Sequence, residues 1–268
     1  MRQWTVDAFT DRPFHGGPAC VLEPLDHWPS VSWMQALARE NGQPETAFLK
    51  ASAAGAIFGL RWFTPTTEVD LCGHATLAAA HVLRAELGVE ASELAFDTQS
   101  GRLTIRLVDG GYEMAFPTDP PRRLKNRPAI AAAISVEPLE IWAGRYLVAV
   151  LPTAECVRQA KPDLRAVAAL AGDAREPGQL VICAVSDDPA FDVVDRFFAP
   201  GCGIDEDPAT GSAHCLLAPL YSEKLGRPAL RFLQASPGRG GSIRTRIDAD
   251  AVWLGGQAVT VMEGRLRV

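Results

Sequence analysis

Apolar residues in this chain fall mostly in short alternating or continuous runs broken by Gly, Pro, Asn and Asp, the pattern of strands that bury one or both faces. RQWTVDAF and PACVLE predict the first two strands, parted by the turn-rich TDRPFHGGP. ETAFLK, IFGLRWFT, ELAFDTQ, RLTIRLV and GYEMAFP follow as further strands. Helical spacing appears at VSWMQALARE, with Ser30 as N-cap and Asn41-Gly42 as its end, and at the Ala- and Leu-rich HATLAAAHVLRAEL, closed by Gly88. The second half uses the same alphabet. YLVAVLP, QLVICAVS and DVVDRFFAP predict strands, DLRAVAALAG and the segment from Ser212 to Leu225 predict helices, and strands run to the end. Strands dominate and no long βαβ alternation appears, which indicates an α+β chain. The Pro-rich TDPPRRLKNRP, residues 118–128, is the expected link between two lobes.

An internal repeat sharpens this picture. RWFTPTTEVDLCGHATLAAAHVLRAELG in the first half is answered by DRFFAPGCGIDEDPATGSAHCLLAPLYSEKLG in the second, with Gly73 matching Gly211 and Gly88 matching Gly226, each 138 positions on. TQSGRLTIRL is echoed more loosely by QASPGRGGSIRTRI. The expected architecture is therefore two pseudo-symmetric lobes. The first spans residues 1–118 around a central helix at about 74–87, and the second spans 119–268 around one at about 212–225. The closing strand, at about 257–268, is expected to cross back and complete the first lobe. Each central helix opens just after a glycine, with His74 or Ser212 beside its first free N–H groups. A helix start of this kind attracts an anion by about 0.3–1 kcal/mol when exposed and up to ~2 when partly buried. Pseudo-symmetry would let both helix starts face one cleft and grip a carboxylate.

Composition narrows the function classes. At 268 residues the chain suits two medium lobes, and a formal charge of −6 argues against the clustered Lys and Arg that nucleic acid or anionic lipid requires. Its six cysteines form no CxxC pair, so no zinc site or redox couple is encoded. ATLAAAHVL falls well short of the roughly 20 apolar residues that span a bilayer. With no apolar leader at MRQWTVDAF, a soluble cytoplasmic protein with reduced thiols is expected.

The segments VDAFTDRPFHGGPACVL, GQPETAFL, FTPTTEVDLCGHATLAAAHVL, IDEDPATGSAHCLLAPL and QASPGRGG resemble the PhzF-type phenazine-biosynthesis family, in the family's order and over nearly the whole chain. The resemblance implies a diaminopimelate-epimerase-like fold, in which each lobe wraps a mostly antiparallel sheet around its central helix. It further implies a homodimer without metal or organic cofactor, and an isomerase that moves a proton on a small carboxylated substrate. It assigns Glu45 as the acid/base, His74 and Asp207 as polar groups beside the reacting substrate, and Gly73, Gly211 and Ser212 as the holders of its anionic end. A carboxylate just after Pro44 and before an apolar strand is placed to be shielded from water, which suits proton exchange.

Each residue also has a plainer reading: Glu45 as a solvated loop acid, His74 and Ser212 as caps, Asp207 as a turn residue. Glu206 and Asp70 read as solvated loop acids, and His15, His27, His81 and His214 as surface or helix residues without metal-ligand spacing. In racemase and epimerase relatives, a thiol at each helix start works from opposite faces of a stereocentre. Cys72 stands at the first such position, but the repeat carries it to Thr210, so Cys72 reads as a buried apolar residue and a two-base racemase as the alternative. A non-catalytic binding module is the reading from another class. Ser212 and His214 lack the GxSxG turn of a hydrolase. The family's usual Asn is replaced by Gly17, and Pro219 is expected to kink the second central helix or cost it a backbone bond.

Overall fold

The computed structural model describes residues 1–52, 55–125 and 127–267. Its contacts divide the chain into two compact units, Met1–Ala115 with Gly255–Val268, and Phe116–Leu254.

In the first unit the strands are β1 (Arg2–Ala8), β2 (Gly17–Leu22), β3 (Glu45–Ala51), β4 (Ile57–Phe63), β5 (Glu68–Val69), β6 (Glu93–Thr98), β7 (Gly101–Val108) and β8 (Gly111–Pro117). β2 runs parallel to β3, β3 antiparallel to β4, β4 parallel to β6, and β6 antiparallel to β7. The strand Ala258–Arg265 lies antiparallel to β1, from Arg2 opposite Arg265 to Ala8 opposite Ala258, so the end of the chain completes the first unit. Helix α1 (Val31–Asn41) is amphipathic. Ser30 accepts from the Trp33 N–H, Gly42 closes the helix in the left-handed region, and Met34, Leu37 and Ala38 pack on Leu22, Phe48 and Phe63.

Helix α2 (Gly73–His81) has no polar face to expose. Every residue from His74 to Ala80 is buried, and the helix packs on β1, β2, β3 and the closing strand. Its Ala-rich sequence serves that setting, because small side chains let strands approach on every side. The helix expected over 74–87 is α-helical only to His81 and continues as a π-turn, Val82–Glu86, in which the Leu87 N–H reaches the Val82 carbonyl at 3.0 Å.

The second unit repeats the pairing. Its strands are β9 (Arg122–Leu124), β10 (Glu140–Ala143), β11 (Leu147–Val150), β12 (Leu180–Val185), β13 (Val193–Ala199), β14 (Ile204–Asp207), β15 (Ala229–Gln234) and β16 (Gly241–Asp248). β11 is parallel to β12, β12 antiparallel to β13, β13 parallel to β15, and β15 antiparallel to β16, which is the order of the first unit. Helices α3 (Pro128–Ile134) and α4 (Ala154–Gln159) add a layer that the sequence pattern did not predict, and the expected helix at DLRAVAALAG shortens to α5 (Leu164–Ala168). α6 (Gly211–Leu225) is buried along most of its length, packs on β15 and β16, and ends at Gly226 with φ 68°.

Pro219 lies inside α6, and the Cys215 carbonyl it leaves unpaired is taken by the Asp119 N–H at 3.0 Å. The same contact anchors the start of the expected link: the Asp119 carboxylate is tied to the Arg145 N–H (2.9 Å) and the Arg175 guanidinium (2.6 Å), all within the second unit. Among the described residues, no helix is long and apolar enough to cross a membrane.

Candidate active site

Glu45 is the first residue of β3, held beside Ala19 by the parallel pairing with β2. Cys72 and His74 open α2, with Cys72 as N-cap in extended conformation. These elements bring three reactive side chains together. Glu45 Oε2 lies 2.9 Å from His74 Nε2, a charge contact rather than a straight hydrogen bond, and Cys72 Sγ lies 3.6 Å from His74 Nδ1. All three are shut off from water: Glu45 is 8 % exposed, His74 5 % and Cys72 8 %.

Burial opposes protonation of the His74 imidazole, but the adjacent Cys72 and Glu45 outweigh it and hold its pKa well above the ordinary histidine value. Burial, reinforced by Glu45, pushes the Cys72 thiol up, so it stays protonated near neutrality. The cluster therefore sets the Glu45 side chain and a thiol against an imidazole that holds its proton tightly. The three donor atoms lie within 4.8 Å of one another, a donor set that could hold a metal ion. Binding one would first have to displace the imidazole and thiol protons.

In the second unit Asp207 ends β14 and Thr210 is the N-cap of α6. The Asp207 carboxylate accepts from the Thr210 hydroxyl (2.6 Å) and the Ala209 N–H (3.3 Å), which fixes its orientation. Gln234, fully buried at the end of β15, braces the turn. Its amide oxygen accepts from the Thr210 N–H (2.7 Å), and its NH2 donates to the Asp207 carbonyl (2.6 Å) and the Thr210 hydroxyl (3.1 Å). Ser212 Oγ meets the Tyr146 hydroxyl at 2.8 Å. Burial pushes the Tyr146 phenol up to about 12, so it remains a neutral hydrogen-bonding group. The Gly211 and Ser212 N–H groups open the first turn, where a helix supplies no acceptor of its own, while the Ala213 N–H reaches the Thr210 carbonyl at 3.2 Å.

The sequence-predicted residues thus fall into two sets, each within its own unit: Glu45, Gly73 and His74 in the first, Asp207, Gly211 and Ser212 in the second. The N-cap residues are Cys72 and Thr210, neither of which makes a side-chain cap bond, and His74 and Ser212 lie inside their helices rather than at the caps. Glu45 is no solvated loop acid. Nor is Glu206, which forms a bidentate pair with the buried Arg196 (2.8 and 2.7 Å). Thr210, at the repeat position of Cys72, has its hydroxyl engaged by Asp207.

Two of the histidines set aside on sequence have defined partners. His81 bridges the Tyr112 and Thr260 hydroxyls at 3.1 Å each, and His214 is wholly buried against Asp195. Ser212 and His214 form no dyad, because the His214 ring is engaged elsewhere. Sequence reasoning missed Tyr146, which read only as a strand residue, and Gln234, although QASPGRGG contains it.

The chain is similar to known proteins over nearly its whole length. The family profile described as "Phenazine biosynthesis-like protein" (PhzC-PhzF) matches residues 6–264. An "uncharacterized isomerase" of Pseudomonas aeruginosa is 39 % identical over 264 residues, covering 98 % of this chain and 97 % of its own. The crystal structure of a PhzF-family phenazine biosynthesis protein from Enterococcus faecalis superposes with a TM-score of 0.93 at 36 % identity, covering 100 % of this chain and 99 % of that one. A probable proline racemase from Agrobacterium radiobacter, at 11 % identity and a TM-score of 0.62 over 100 % of this chain and 93 % of that one, shares the fold.

Proposed function

This chain belongs to the phenazine biosynthesis-like family and is an isomerase, and on that premise we propose that it moves a proton on a small carboxylated substrate with Glu45 as the acid/base. The observation that carries the reading is the Glu45–His74 contact: a carboxylate in a water-poor setting, 2.9 Å from an imidazole held protonated. Glu45 takes a proton from a substrate carbon and returns it elsewhere on the molecule. His74 stabilises the carboxylate while it is charged and donates to substrate oxygen as negative charge develops. Gly73, Gly211 and Ser212, at the two helix starts, offer N–H groups and a hydroxyl to an anionic substrate end, and Asp207 accepts from a substrate donor. No metal or organic cofactor enters this chemistry. A homodimer in the cytoplasm belongs to the same reading.

Proton NMR in heavy water tests it, with a panel of small carboxylates and cyclic amino-acid-like acids. Isomerisation or deuterium uptake that depends on Glu45 is expected, and exchange persisting in Glu45→Gln would refute the assignment. One geometric fact favours a second reading: Cys72 Sγ lies 3.6 Å from His74 and carries a proton of its own, as a two-base racemase would require. That reading predicts solvent exchange lost in Cys72→Ala.

A further inference from the structure

We propose that Asp195 and His214, a pair buried behind the start of α6, are positioning residues that fix the Thr210 peptide and, through it, the Asp207 carboxylate and the Gly211–Ser212 end of the helix. Both side chains are wholly buried, with His214 Nε2 3.4 Å from Asp195 Oδ2. The other ring nitrogen, Nδ1, lies 2.9 Å from the Thr210 carbonyl oxygen. A carbonyl can only accept, so Nδ1 carries a proton and Nε2 is the nitrogen that faces the acid. Among the described residues neither Asp195 oxygen nor His214 Nε2 has a hydrogen-bond partner, so the two groups face each other across 3.4 Å. A bare carboxylate there would be prohibitively costly, so the pair must share a single proton. His214 is thereby pinned from below by β13 and holds the N-cap carbonyl from inside the helix.

Thr210 is the hub of the substrate-holding turn. Its hydroxyl orients Asp207, its N–H meets Gln234, and Gln234 stands opposite Asp195 in the β13–β15 pairing. Asp195, His214, Thr210 and Gln234, all buried, lead in one continuous chain to the half-buried Asp207.

The first unit repeats the device with different chemistry. Thr76, which the repeat matches to His214 138 positions on, donates its hydroxyl to the carbonyl of Cys72 at 2.5 Å, and Cys72 matches Thr210. In both units the side chain four residues into the helix holds the N-cap carbonyl. What recurs is the bond and not the residue, and only the second unit extends it to a buried acid.

The inference rests on the proposed role of Asp207, Gly211 and Ser212, but its test does not require turnover. In the wild-type chain, a long-range proton–nitrogen spectrum should show His214 Nδ1 protonated and Nε2 as acceptor or shared site. An unprotonated Nδ1 would overturn the inference without any variant. Two substitutions then separate the ring's contacts. His214→Asn keeps a donor near Nδ1 for Thr210, and His214→Gln keeps one near Nε2 for Asp195. The amide signals of Thr210, Gly211 and Ser212 should shift most in the Gln variant and less in the Asn variant, which keeps the Thr210 bond but loses the acid. The turnover number should fall on the order of a hundredfold in Gln and about tenfold in Asn, with KM changing less. Equal behaviour of the two variants, in signals or turnover, would overturn the proposal. Absence of turnover in every form, with the amide pattern as expected, would count against the functional reading alone.

Discussion

Glu45 Oε2 and His74 Nε2 stand 2.9 Å apart, joining the first residue of β3 to the first turn of α2. In the proposed mechanism the contact supplies a base and an acid in one buried cluster. A general acid/base contributes roughly 10²–10⁴ in rate. Glu45→Gln should therefore reduce turnover by at least about a hundredfold while far-UV circular dichroism stays unchanged, and Glu45→Asp should retain part of the activity. A Gln variant within about threefold of wild type would remove Glu45 from the chemistry.

The same contact makes stability depend on pH. His74 has a folded pKa raised well above its ordinary value of about 6.5, so the folded state binds its proton more tightly than the unfolded chain does. The stabilisation is complete below that ordinary value and is lost as pH rises through the folded value. Urea midpoints measured from pH 6 upward should fall more steeply for wild type than for Glu45→Gln, in which the partner charge is gone. Parallel curves would show that the pair does not hold the imidazole's proton.

At the second helix start, Tyr146→Phe removes the hydroxyl that meets Ser212 at 2.8 Å and leaves the ring in its edge contact with Phe197. The loss of one such bond is worth about 0.5–1.5 kcal/mol. KM for the carboxylated substrate should rise roughly 2- to 10-fold with little change in melting temperature. Because burial holds the phenol at about 12, the pH–rate profile below pH 9 should be the same in both proteins. A changed profile would give Tyr146 a role as proton donor.

The sequence pattern carried the duplicated unit because each helix start is marked by a glycine and a following apolar run, and those local signals survive in both copies. The meeting of Glu45 with His74 was legible only through family resemblance, since it depends on how β3 registers against β2 and on where α2 begins. Periodicity could not show that α2 is buried all round and α6 along most of its length, because a helix that is apolar on every side carries almost no amphipathic contrast. His214 consequently read as an ordinary helix residue, although it lies wholly inside the second unit. Glu206 looked solvated for a related reason: its partner Arg196 sits in a strand whose pattern does not reveal that a guanidinium is buried there. The π-turn after His81 has no sequence marker. It is visible only from the hydrogen bond between Leu87 and Val82.

Cys72 decides between one base and two. Its thiol is buried, stays protonated near neutrality and touches His74, so it can act as a proton source or serve only as packing for the imidazole. Cys72→Ala removes the sulfur and leaves Glu45 and His74 in contact. If Glu45 alone shuttles the proton, the variant should keep turnover within about tenfold of wild type, lose some thermal stability through the small cavity, and show His74 titrating at a lower pH by NMR because one of its neighbours is gone. If the thiol is the second base, deuterium exchange at the substrate's stereocentre should fall on the order of a hundredfold or more, while the urea midpoint moves no further than in the first case. Alkylation supplies an independent check. Cys202 is exposed and should react with iodoacetamide first, and activity should survive that modification because Cys202 belongs to neither helix start.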